Sequence, residues 1–146
     1  NITAANRADF YRNIRAACES GWDFSSRWLA DQDDLSTIQT THIVPIDLNC
    51  LLYKLEMLLS QFYAELFETD LSVKFAEYAQ IRSDAINQYL WDEQSCFYYD
   101  FDFIQGKKTP IQSLAACLPL FSQIASKQQA EHRTQQATIN HQSKRK

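Results

Sequence analysis

The stretch with the most chemistry per residue is Glu19–Trp28, ESGWDFSSRW. It holds a glycine, two tryptophans, an arginine and the carboxyl of Asp23. Gly21 permits close approach of the backbone to a ligand. Trp22 and Trp28 offer flat apolar faces of the kind that stack on sugar rings. Asp23 stands between Trp22 and Phe24, a carboxyl in apolar company. In such surroundings a carboxyl tends to keep its proton and can donate it. The alternative is plainer: Asp23 caps the next turn and the tryptophans fill the core.

Other residues invite chemistry less strongly. Asp47 and Asn49 in VPIDLN stand at a helix start, where capping competes with support of an active site. His42 has no partner at metal-ligand spacing and reads as a satisfied histidine. His132 and His141 fall in a polar tail and are given no role. Asp100 and Asp102 flank Phe101, and paired carboxylates raise an acid/base reading; surface positions on a hairpin are the expectation. Asn1-Ile2-Thr3 matches a glycosylation sequon, a short pattern that recurs by chance. Lys144, Arg145 and Lys146 are too few to argue for nucleic acid.

The elements that must position these groups are helical. The chain has 146 residues, 45% of them hydrophobic and 22% charged, an ordinary globular balance with room for a core. Gly21 and Gly106 are its only glycines, which disfavours barrels, sandwiches and phosphate-cradling loops. A net charge of −4 argues against a nucleic-acid partner. No apolar run reaches the ~18 residues of a membrane span. Asn1–Ala17 is too polar for a signal peptide, and Met57 is the only methionine, so Asn1 reads as a processing point or a fragment boundary. Cys18, Cys50, Cys96 and Cys117 form no CxxC pair and are expected as buried thiols.

The pattern along the chain predicts four helices and a hairpin. Phe10, Ile14, Ala17 and Cys18 make one helical stripe from Thr3, a plausible N-cap, to Cys18, and Gly21 ends it. Ser20–Val44 has no clean period, and a loop that long is expected to be functional. A second helix runs from Pro45 to Phe67 with an apolar face through Leu51, Leu55, Leu58 and Phe62. Asp70 is expected to cap a third helix reaching Leu90, packed on the second as an antiparallel hairpin. Trp91–Ser95 reads as a turn, Cys96–Ile104 as one short strand, and Gly106–Lys108 as another turn. Pro110–Ser126 reads as a fourth helix that Pro119 would kink, and the residues after it as a frayed helix followed by a disordered tail.

Two motifs here resemble the trehalase family of glycoside hydrolases. SGWDFSSRW followed by TTHIVPIDLNCLLYKLE is the specific one; YLWDEQSCFYYDFDF is weaker, being shared by related helical-toroid glycosidases. Together they span Phe10 to Ser126. The resemblance implies a mainly α fold, part of an (α/α)6 toroid, with helical hairpins, one small β-hairpin and the long loop at the toroid mouth. It assigns residues 1–126 to a partial catalytic domain and 127–146 to a divergent tail. It implies inverting hydrolysis of α,α-trehalose to two glucose molecules, with Asp23 as general acid and Gly21 touching the sugar through its backbone. Neither a metal nor an organic cofactor is implied, and no nucleic-acid or membrane partner. Family members occur in bacterial periplasm and cytoplasm.

The departures are equally specific. The family's base, a glutamate in a glycine-rich segment, has no counterpart, since no glycine follows Gly106. Its Gln-Trp-Asp signature is missing too. The arginines of its sugar subsite fall upstream, so Arg15 and Arg27 are not substituted for them, and Glu19 is given no role. The expectation is a middle segment carrying the acid without the base. An inactive truncated remnant and a small helical interaction protein are the alternatives.

Overall fold

The structure is a computed structural model, and it describes residues 6–23 and 25–131. The chain forms two compact units, one from the residues up to Val44 with Asp100–Ser113, the other from Pro45–Tyr99 with the residues from Leu114 onward. Thr3, the sequon and His132 onward lie outside the described residues.

The first unit starts with α1, Arg7–Glu19. Its apolar stripe is buried as expected: Ala17, Trp28, Ile38 and Ile43 form a core, with Phe10, Ile14, Trp22 and Leu29 packed on it. Cys18 falls off that stripe and is exposed. Gly21 follows the C-cap residue Ser20 at φ 75°, the left-handed geometry that ends helices most cheaply with glycine. Asn13 is buried; its side chain accepts from the backbone and hydroxyl of Thr41 at 2.8 and 3.0 Å, tying α1 to the loop.

The long loop has no period because it is built of single turns. Ser26–Trp28, Leu35–Thr37 and Thr40–His42 are 3-10 turns, and the side chains of Ser25 and Asp34 cap the first two. An antiparallel bridge joins Leu29 to Ile38. The loop ends in β1, Ile43–Val44, which pairs antiparallel with β4, Phe101–Asp102; β5, Lys107–Lys108, pairs on the other side of β4.

In the second unit, α2, Ile46–Glu65, and α3, Thr69–Ala85, pack as the expected antiparallel hairpin. Tyr63 stacks on Phe75 at 5.5 Å, and the Ser60 hydroxyl donates to the Ser72 carbonyl at 2.9 Å. Arg82 donates to Glu56 at 2.9 and 2.7 Å and to Asn49 at 2.9 Å. Asp70 is not a cap; it occupies the first turn, where its charge favours the positive helix end. The α geometry stops at Ala85, and Ile86–Leu90 follows as a π-helical turn. Within that turn the Asn87 side chain accepts from the Tyr98 hydroxyl at 2.8 Å.

Four expectations fail beyond Leu90, and the first is Trp91–Ser95, expected as a turn, which opens with a strand at Trp91–Asp92. Cys96–Ile104 is two strands, not one: β3, Phe97–Tyr98, pairs with β2, Trp91–Asp92, while β4 pairs with β1 and β5. The chain passes from one unit to the other between Tyr99 and Asp100, so its partners change there. Of Gly106–Lys108, expected as a turn, only Gly106 is one, and Lys107–Lys108 is β5. Pro110–Ser126 holds only a 3-10 turn, Leu114–Cys117, and α4, Leu118–Phe121. Pro119 stands in the first turn of α4, where its missing N–H costs nothing, and Gln123 at φ 62° turns the chain away. After it, residues 127–131 are helical, and Ser126 and Gln129 cap each other reciprocally.

Of the cysteines, only Cys50 is buried; Cys96 is half-buried and Cys117 exposed. Leu48, Leu51, Leu55, Leu58 and Phe62 on α2 are 43% to 56% exposed, an apolar face without cover among the described residues. Among the described residues no helix is long and apolar enough to cross a membrane.

Candidate active site

Asp23 occupies a tight turn between the end of α1 and the 3-10 turn Ser26–Trp28. The backbone N–H of Ser25 donates to the Trp22 carbonyl at 3.1 Å and closes that turn. The indole N–H of Trp28 donates to the same carbonyl at 2.9 Å. On the near side, the Ser20 hydroxyl donates to the Ala17 carbonyl at 2.6 Å and accepts from the Trp22 backbone N–H at 3.1 Å. The backbone on both sides of Asp23 is therefore held to α1 and to Trp28.

The side chain of Asp23 is exposed, not enclosed. Trp22 turns its ring toward the core and Arg27 instead of covering Asp23. Phe24, the other expected neighbour, lies outside the described residues. Gly21 is exposed as well, and a Cβ placed on it would meet nothing within 4 Å. Open space therefore adjoins the backbone two residues before the carboxyl.

Below the turn lies a buried ion pair that sequence reasoning missed. Arg27 donates from Nε to Asp100 Oδ2 at 2.9 Å and from Nη2 to Asp100 Oδ1 at 2.8 Å. The two side chains are 0% and 2% exposed. The guanidinium also lies over the rings of Trp22 and Trp28, at 4.7 and 4.4 Å from their centroids. These tryptophans face an arginine, so the core reading of Trp28, which is 1% exposed, holds. Asp100 and Asp102 are both buried at 2% exposure, a correction to the expectation of surface residues. Their alternation around Phe101 was the available signal: residues two apart on a strand share a face. Asp102 turns back on its own hairpin, its Oδ1 accepting from the backbone N–H of Ile104 and Gln105 at 2.9 Å each.

The remaining candidates have local work. Asn49 donates to the Pro45 carbonyl at 2.8 Å while accepting from Arg82, and Asp47 accepts from the Leu48 N–H at 3.0 Å. His42 closes a 3-10 turn, and its carbonyl accepts from the Phe103 N–H at 3.1 Å. No group of three or more metal-ligating side chains occurs among the described residues. In the second unit, burial pushes the Cys50 thiol up to about 11, and burial, with Cys50 nearby, raises Tyr98 as well.

The comparison with known families is decisive. The family model for trehalase matches residues 1–146, including the stretch after Ser126 that the motifs do not reach. The chain belongs to the trehalase family. That family is one of glycoside hydrolases. Among solved structures, the neutral trehalase of Saccharomyces cerevisiae is 30% identical, with a TM-score of 0.60. That match covers 66% of this chain and 19% of the yeast trehalase chain. It also carries the fold class: a mainly α chain, part of a trehalase-type helical toroid.

Proposed function

We propose that this chain supplies the general acid of an inverting α,α-trehalase, and that the acid is Asp23. The observation that carries the reading is the trehalase match along the whole chain, with Asp23 presented to open space on a turn braced from both sides. The protonated carboxyl of Asp23 donates its proton to the glycosidic oxygen. The C1–O bond breaks, its electron pair goes to that oxygen, and one glucose leaves. Water attacks C1 from the opposite face and gives its proton to a second carboxylate. In an inverting site the two carboxyl groups stand roughly 6.5–9.5 Å apart, with room for that water between them. The second carboxylate comes from outside this segment. Gly21 offers its backbone to the sugar, since no Cβ blocks the approach.

The test is a chimera joining this chain to the flanking parts of a full-length trehalase, assayed for glucose release with and without Asp23→Asn. Loss of turnover with trehalose binding retained supports the assignment; activity within a few-fold of the parent sinks it.

A further inference from the structure

We infer that Arg27 and Asp100 are positioning residues for Asp23, an inference that rests on reading Asp23 as the acid. Asp23 is exposed on a turn, so the orientation of its carboxyl is inherited from the backbone beneath it. That backbone is fixed through Trp22 and Trp28. The Trp22 carbonyl takes two hydrogen bonds, one of them from the Trp28 indole, and both rings lie against the Arg27 guanidinium. A guanidinium that only stacked would be free to slide between the rings. Asp100 removes that freedom by gripping two of its nitrogens in a planar fork, with both side chains out of solvent. Asp100 immediately precedes β4, which lies between β1 and β5, and its carbonyl accepts from the Thr109 N–H at 2.8 Å, so the grip is anchored at the edge of a sheet and not in the loop itself. A lysine could carry the charge but not the fork.

A group that acts through the acid has a signature that a merely structural group lacks. Trehalose needs a proton on its leaving oxygen. A glucosyl fluoride does not: its C1–F bond breaks, fluoride leaves with the electron pair, and no proton donor is required. Loss of an oriented acid therefore slows trehalose far more than the fluoride.

The experiment compares Asp23→Asn, Asp100→Asn and Arg27→Lys in the chimera on both substrates. Asp23→Asn should lose trehalose turnover and keep most of its fluoride turnover. The other two should follow it in kind, with trehalose kcat down about 10- to 100-fold, KM nearly unchanged and fluoride turnover retained; misplacement of a reacting group by about 1 Å costs on the order of 100-fold. In the 146-residue chain itself, Asp100→Asn should speed amide hydrogen exchange at Trp22–Trp28 while leaving the α2–α3 hairpin protected. If Asp23→Asn loses both substrates equally, the acid assignment fails. If Asp23→Asn behaves as an acid variant but Asp100→Asn and Arg27→Lys lose both substrates in parallel, or fail to fold, the pair is a stability element and the positioning inference is overturned.

Discussion

The indole N–H of Trp28 donates to the backbone carbonyl of Trp22, six positions earlier, at 2.9 Å and closes the loop that contains Asp23. One side chain thereby sets the width of the turn that presents the carboxyl. The Arg27 guanidinium lies over both rings, and Asp100, immediately before β4, holds it.

In the chimera, Asp23→Asn should lower kcat by about 10²–10⁴-fold, the usual share of a general acid. Asparagine keeps the size and the hydrogen bonding but has no proton to give. Trehalose affinity, measured by calorimetry, should stay within a few-fold of the parent.

The 146-residue chain alone should release no glucose from trehalose. On the proposed reading it carries an acid with no assigned base, and inversion needs both. The half-exposed row Leu48, Leu51, Leu55, Leu58 and Phe62 should make the isolated chain self-associate, visible by sedimentation at rising concentration. Sustained turnover that Asp23→Asn abolishes would mean a second carboxylate in this segment acts as base.

Asp100→Ala should destabilise the first unit strongly. It leaves the Arg27 charge buried without its carboxylate, a change that costs about 3–5 kcal/mol in comparable pairs. Urea unfolding reads the loss. A change below about 1 kcal/mol would mean that Arg27 reaches water when its partner is gone.

Gly21→Ala should cost about 1–2 kcal/mol, the penalty of left-handed geometry for a residue with a Cβ. No clash adds to it, because the space around Gly21 is open and its φ is 75°. Gly21→Asn should recover part of the loss, since asparagine tolerates that geometry.

Cys50 should resist alkylation in the folded chain at pH 8, while Cys18 reacts. Burial holds the Cys50 thiol near 11 against an ordinary value of 9.0. The folded state binds this proton more tightly than the unfolded one. Its contribution to stability is complete below pH 9 and is lost as pH rises through about 11. Cys50→Ala should flatten that alkaline fall in urea titrations.

The sequence by itself determined the three long helices and the family. Period and proline placement located α1 and the α2–α3 hairpin, because an apolar stripe on a 3.6-residue repeat is a local signal. The run around Asp23 was legible for the same reason: its residues are neighbours in the chain. Tertiary structure alone decided what reaches across distance. That Arg27 pairs with Asp100 rather than with solvent depends on β4 lying beside β1, a contact between residues 73 apart. The split of Cys96–Ile104 into strands of two sheets has the same origin, since a strand ends where its partners change. Asp23 is exposed while the Trp22 ring faces Arg27, whose burial depends on the distant carboxylate of Asp100. Local patterns follow from the geometry of one segment, whereas the surroundings of a buried charge follow from every segment that packs around it.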